Sequence, residues 1–365
     1  MRVRDFLDII ESLAPMGLAL DWDNSGLQVG DPMAPVKRLG LALDPTSETI
    51  LQAANAKLDL LITHHPLIFK PTKRLLSSDP VNRPAFLAAA NGLAVISAHT
   101  NWDAAEVAKC LAEVLDLTDC RPLSPVGREF LKLVVFVPES HEEAIRRAAF
   151  TAGAGRIGKY ENCFFKGRGQ GGFKVPLDSS PYLGTPGAEE TVDEARLEII
   201  LPPENRDSVA QAVKAAHPYE EPAFEFYGLT SVGAFGFGAI GRWERPLAGR
   251  ELAKFLEDRL KTPGLWGGQE RFGEVAKVAT LPGSGGDFIM EAKRAGADLY
   301  VTGEINHHQS LLAREVGLPV FIAGHFETEY PSVWRLAKRV IDAIDNPGEV
   351  EVKFLNERTS IRHNL

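Results

Sequence analysis

Cysteine is scarce in this chain. Cys110, Cys120 and Cys163 are the only three in 365 residues. They lack C-x-x-C spacing and cannot all pair with one another, so a reducing cytoplasm is the simplest setting. Positive charge is also short, with 40 Lys and Arg against 49 Asp and Glu and a formal net charge of −9. That balance argues against generic nucleic-acid binding, which needs a basic footprint, but leaves room for a local basic pocket. No uncharged apolar run approaches the roughly 18–20 residues of a membrane span. The opening stretch MRVRDFLDIIESLAP sets Phe6, Ile9, Ile10 and Leu13 at helical spacing among Asp5, Asp8 and Glu11. It reads as an amphipathic helix and not as a signal peptide.

What remains is an ordinary globular composition, 44% hydrophobic and 24% charged. At about 150 residues per domain, two or three domains are expected. From Val36 short apolar runs alternate with helical periods: RLGLALD, SETILQAANAK, LDLLITHH, RPAFLAAANG, LAVISAHTNWD, AAEVAKCLAEVLD. Strands separated by helices predict βαβ units in a largely parallel sheet. The order recurs near the other end as VAKVATLP, GDFIMEAKRAG, ADLYVTGE, HHQSLLAREVG, LPVFIAGHFETE and PSVWRLAKRVIDAI. The two runs read as an internal duplication, with Asp59 matching Asp298, Thr63 matching Thr302, His99 matching His325 and Asp103 matching Glu329. Between them, residues 127–237 read strand, helix, Gly-rich loop, strand, helix, strand, a ferredoxin-like or PII-like α+β module. The flanks SPVG and GAFGFGAIG read as linkers. The expectation is therefore a duplicated α/β domain, 1–126 plus 238–365, interrupted by an inserted α+β domain.

Six of the nine histidines, His64, His65, His99, His307, His308 and His325, fall in the duplicated halves near strand exits or helix starts. In open α/β sheets, sites form beyond the carboxyl ends of the strands. With Asp103 and Glu329 the histidines make a mixed nitrogen and oxygen donor set suited to Zn, Fe, Mn, Co or Ni. Adjacent residues of a continuing strand face opposite ways. Pro66 ends the sheet hydrogen bonding after His64 and His65, so the two rings are free to diverge around one spot. Two diverging rings suit two ions held about 3.5–4 Å apart and a bridging carboxylate. Glu329 lies four residues after His325 and shares a face with it if that segment is helical.

These residues resemble a known family. WDNSGLQVGD, LLITHHPLIF, AHTNWD, DLYVTGEINHH and GHFETE are similar to the GTP cyclohydrolase I type 2 homologues, the NGG-interacting-factor-three-like proteins with a dinuclear metal centre. AGAGRIGKYENCFF and AHPYEEPAFEFY are similar to the PII-like insert of the longer bacterial members. The resemblance implies two divalent ions per chain, one on His65 and Asp103, the other on His64 and His325, with Glu329 bridging. It also implies a homohexamer, a trimer of dimers around a central cavity. Two divalent ions with two carboxylates leave a net +2 for hydroxide and a small anionic substrate, a nucleotide in the cyclohydrolase reading. The implied reaction is hydrolytic opening of the guanine imidazole ring with release of formate.

His99 is the candidate for proton transfer, or for orienting Asp103. Asn24 is a candidate for the substrate pocket wall. LPGSGGDF, residues 281–288, reads either as a phosphate cradle or as an ordinary βα turn with Asp287 as a cap. GFGAIG, residues 236–241, matches G-x-G-x-x-G but lacks the following helix, so it is no dinucleotide site. Cys163 reads as a packed residue of the insert. Two alternatives stand beside the cyclohydrolase. One is a phosphoesterase on the same metals. The other is a metal-binding regulatory or scaffold hexamer, in which His217, Glu220 and Glu221 of the insert would act.

Overall fold

The structure is a computed structural model that describes residues 1–126, 128–157, 160–177, 182–231, 235–268, 273–344 and 346–355. The chain divides into two compact units, Met1–Val126 with Gly233–Leu365, and Gly127–Val232. Phe237, read from the sequence as part of the insert, packs into the core of the first unit.

The first unit holds two sheets. One contains β1 (Gly26–Val29), β2 (Arg38–Ala42), β3 (Leu60–Thr63), β4 (Ala94–Ser97) and β15 (Glu351–Phe354) in the order β1-β4-β3-β2-β15. Strands β15, β2, β3 and β4 run parallel, and β1 closes the edge antiparallel to β4. The other contains β5 (Thr118–Pro125), β10 (Gly236–Leu247), β11 (Leu265–Gly268), β12 (Val275–Ser284), β13 (Leu299–Glu304) and β14 (Pro319–Ile322) in the order β11-β14-β13-β12-β10-β5. Here β12, β13 and β14 are parallel, and β11 closes the edge antiparallel to β14. The two halves thus match strand for strand at their centres and at one edge. The matched aspartates do the same work. Asp59 accepts from the amides of Lys37 and Arg38, and Asp298 from those of Ala276 and Lys277.

The helices that leave the third parallel strand of each half cross over. After β4 come a helical turn Thr100–Trp102, a π-helical turn Asp103–Val107 and a helix Ala108–Val114. Ala108, Leu111 and Ala112 of that run pack with Val278, Leu299 and Val301 of the second sheet. After β14 the helix His325–Asp342 packs Val333, Leu336 and Val340 against Leu39, Leu41, Leu60 and Ile62 of the first sheet. Each such aliphatic side chain contributes about 1.5–3 kcal/mol on full burial. The exchange brings the two H-x-x-x-[DE] segments face to face.

Two expectations need correction. The helix following β14 starts at His325, not at Pro331, which sits inside it without an amide to donate. Much of the supposed linkers is paired strand: Ser124 and Pro125 of β5 lie opposite Phe237 and Gly236 of β10, while Gly127, Gly233 and Ala234 lie outside the described residues. GFGAIG is therefore strand from end to end. Leu27 and Val29 of WDNSGLQVGD belong to the edge strand β1.

The second unit is a four-stranded antiparallel sheet, β7-β8-β6-β9, built from β6 (Arg128–Pro138), β7 (Phe165–Lys174), β8 (Glu189–Leu201) and β9 (Phe224–Ser231). Helices Glu142–Thr151 and Arg206–Ala216 pack Ile145, Ala149, Val209 and Val213 on Leu133, Val135, Leu197 and Ile199. The element order is the split β-α-β pattern. The Gly-rich stretch read as a loop is β7, paired with β8 from Phe165↔Glu198 to Lys174↔Glu189. Pairing there comes from backbone groups, which need no apolar side chain.

Candidate metal centre

Strand β3 is wholly buried. Its parallel pairing runs on through the amides of His64 and His65, which donate to Ala42 and Leu43. It stops at Pro66, which has no amide to offer. Thr63 Oγ1 and Ser97 Oγ both donate to the His65 carbonyl, at 2.8 and 3.2 Å, and hold the chain at this turn. The two rings are 5.0 Å apart with planes 44° from parallel, and both reach one spot.

That spot is Glu329, which is buried. Its Oε2 lies 3.0 Å from His65 Nε2, 3.0 Å from His325 Nε2 and 3.8 Å from His64 Nε2. Asp103 Oδ1 lies 3.4 Å from His64 Nε2. His325 and Glu329 share a helix face at i and i+4, so the early helix start is what delivers both. The structure therefore brings His64, His65, Asp103, His325 and Glu329 together. Their donor atoms group as His64, Asp103 and Glu329 on one side, and His65, His325 and Glu329 on the other. This pairs His64 with Asp103 and His65 with His325, the reverse of the pairing implied by resemblance. Glu329 is common to both groups. His99 forms a third group with His64 and His65.

Each imidazole is oriented from behind. His64 Nδ1 donates to the Ala98 carbonyl at 2.8 Å, His65 Nδ1 pairs with Asp44 at 2.7 Å, His99 Nδ1 with Asp23 at 2.8 Å and His325 Nδ1 with Glu304 at 3.2 Å. Such partners fix the ring and point its other nitrogen inward. Buried His64 Nε2 and Glu329 Oε2 have no hydrogen-bond partner. A buried polar atom without a partner is costly, and a cation between these two would satisfy both. The donor set fits a divalent transition metal.

The electrostatics agree. Burial opposes charge on His65, but Asp44 and Glu329 outweigh it and raise its pKa to about 10. Burial likewise opposes charge on His325, and Glu329 first, then Glu304, lift it to about 9. For Glu329 burial pushes upward, yet the neighbouring His325 and His65 rings hold it well below the usual carboxylate range. Asp23, against its burial, is held low by His99 and Thr100.

The second half explains the asymmetry of the first. Where strand β2 leads to Asp44, β12 leads to Gly283, at φ +64°. A Cβ there would run into the Glu329 carboxylate and approach His325. LPGSGGDF is thus a turn shaped around Glu329. Asp287 caps nothing and instead accepts from Gln309 Nε2 at 2.9 Å. His307 and His308 are exposed at the start of their own helix and belong to none of the donor groups among the described residues. The His99 ring bonds Asp23 and not Asp103. Asn24 is exposed, and its amide ties down a loop by donating to the Ile68 carbonyl at 2.6 Å and to Gln28 at 3.0 Å. Sequence reasoning missed Asp23, Asp44 and Glu304. Two of them carried a signal: Asp23 lies inside the WDNSG motif, and Glu304 occupies the repeat position of His65.

In the insert, His217 is buried and both its nitrogens are engaged, Nε2 donating to the Phe136 carbonyl and Nδ1 accepting from the Tyr219 amide. Glu220 and Glu221 line a cavity of about 930 Å³ with Tyr182, Tyr219 and Phe173.

The whole chain is similar to known proteins. Residues 1–360 match the family model described as Duf34/NIF3 (NGG1p interacting factor 3). A Bacillus subtilis protein named GTP cyclohydrolase 1 type 2 homolog is 37% identical over 328 residues, covering 88% of each chain. A Mycobacterium tuberculosis protein of the same name is 34% identical over 344 residues, covering 91% of this chain and 89% of its own. The crystal structure of a Bacillus cereus protein related to NIF3 superposes with a TM-score of 0.76 at 33% identity, over 99% of both chains. The Staphylococcus aureus protein SA1388 shares the fold, at TM-score 0.78 and 24% identity over 99% of both chains. With a whole-length family match and relatives this similar, the chain belongs to the DUF34/NIF3 family.

Proposed function

We propose that the chain is a dinuclear divalent-metal-dependent hydrolase of the GTP cyclohydrolase type. One observation carries this reading: a single buried carboxylate oxygen, Glu329 Oε2, is approached by three imidazole nitrogens within 3.0–3.8 Å and has no hydrogen-bond partner. His64, Asp103 and Glu329 would hold one ion, and His65, His325 and Glu329 the other. Bound there, two divalent ions supply a water of lowered pKa and a positive field for an anionic substrate.

The protein's own groups do the rest. Asp44, Glu304 and the Ala98 carbonyl hold the Nδ1 sides of three histidines, so that their Nε2 atoms face the cluster as ligands. His99, held at Nδ1 by Asp23, takes up and returns a proton at Nε2. One water opens the guanine imidazole ring to a formamidopyrimidine. A second releases C8 as formate and leaves the diaminopyrimidine. The name of the relatives supports the substrate. The test is formate release from GTP by protein supplied with Mn, Fe or Zn, compared with His65→Ala and Glu329→Ala. Activity that survives both substitutions overturns the mechanism.

The insert supports a second reading, a regulatory or scaffold assembly. Its large cavity, with three acidic and four aromatic side chains in the lining, suits a small ligand. A ligand that raises the melting temperature of the protein without being turned over would favour it.

A further inference from the structure

Two large aromatic side chains stand exposed beside the donor cluster. Trp22 is 58% and Phe69 50% exposed. Their rings are 5.8 Å apart, and each lies close to His99, at 6.0 and 6.4 Å. The His99 ring is in turn 5.3 Å from His64 and 5.6 Å from His65. The aromatic pair is fixed in place. Asn24 bonds the Ile68 carbonyl, and Gln28 accepts from the Ile68 amide, so the segments carrying Trp22 and Phe69 are tied together. Directly after Phe69 come Lys70, Lys73 and Arg74, all exposed. None of the three has an ion pair among the described residues. In a chain of net charge −9, that is a local reversal of sign.

We propose that Trp22, Phe69 and the cations Lys70, Lys73 and Arg74 form a nucleotide subsite. The base stacks on the aromatic faces and the phosphates meet the cations. A ring sandwiched between two others needs about 7 Å between them, two layers of roughly 3.5 Å. At 5.8 Å the pair cannot admit one, so the base lies on an exposed face. Its edge then points past His99 to the cluster. Binding at the subsite stands apart from the hydrolase reading, and only turnover of the bound nucleotide rests on it.

The experiment is calorimetric titration of the metal-supplied full-length protein with guanosine, GTP and inorganic triphosphate. Guanosine and GTP are expected to bind, GTP more tightly. Trp22→Leu and Phe69→Leu each weaken both by roughly 5- to 150-fold, the range for loss of one base-stacking contact. The combined Lys70→Gln, Lys73→Gln and Arg74→Gln variant weakens GTP alone and flattens its salt dependence. Circular dichroism checks that the variants are folded. Three results overturn the subsite: affinities unchanged in both aromatic variants, GTP and triphosphate binding equally, or no binding by guanosine or GTP. Formate release is read separately. Ring-dependent binding without formate keeps the subsite and removes the hydrolase. Formate release with KM unchanged in both aromatic variants does the opposite.

Discussion

At the residue scale, Glu329 is the most exacting position. Its charge faces His64, His65 and His325, and Gly283 makes room for it. Glu329→Gln keeps the shape and removes the charge, so bound metal, measured per chain by elemental analysis, should fall from about two ions to less than one. Asp44→Ala leaves the ligands in place but frees the His65 ring, and should weaken metal affinity roughly 10–100-fold. Gly283→Ala puts a side chain at positive φ and costs about 1–3 kcal/mol, read from the urea midpoint. Protons compete with metal for the same atoms. His65, raised to about 10, and His325, raised to about 9, are charged at pH 7 when no cation is bound. Metal binding at pH 7 should therefore release protons, and affinity should climb with pH toward those values. Calorimetry in two buffers of different ionisation enthalpy measures the release. The same shifts set the stability of the metal-free protein. The His65 contribution is fully present below its ordinary 6.5 and fades as pH rises through about 10. The Glu329 contribution is present above its ordinary 4.5 and fades as pH falls below it. The urea midpoint should be highest between those two ordinary values. The five clustered donors were legible because His and carboxylate at strand exits are chemically unusual. Asp44 was not, since one aspartate after a strand looks like any solvated turn residue until His65 is seen against it.

At the element scale, periodicity revealed the parallel strands and their helices because βαβ units bury continuous apolar runs. It failed where backbone pairing replaces apolar side chains, as in β7, and where glycines imitate a linker, as at the start of β10. It also failed at the helix His325–Asp342, where Pro331 resembles a start signal and is an interior residue. That start signal left the shared face of His325 and Glu329, on which the site depends, conditional on a helix the pattern placed later. The π turn at Asp103–Val107 was equally invisible, because an added residue per turn leaves no compositional mark. Such turns gather at functional sites, and this one starts at Asp103. The repeat itself yields a prediction. Asp59 and Asp298 each tie two amides at the start of a parallel strand. Asp59→Ala and Asp298→Ala should each cost about 1–3 kcal/mol, by similar amounts, in urea unfolding.

At the scale of the whole molecule, no described helix is long and apolar enough to cross a membrane. We propose the homohexamer implied by resemblance. Light scattering should then report about 240 kDa, six chains of 39.8 kDa, and a species of one or two chains would reject it. The opposition of Pro125 and Gly236 also bears on how the chain is assembled. The chain leaves the first unit and re-enters it on neighbouring antiparallel strands, so β5 and β10 are the arms of a hairpin whose tip has been replaced by more than a hundred residues. The insert is therefore portable. Closing the arms with an Asn-Gly turn would restore an ordinary hairpin. The shortened chain should fold with its histidine cluster intact, and the same two arms offer a mounting point for other folded modules.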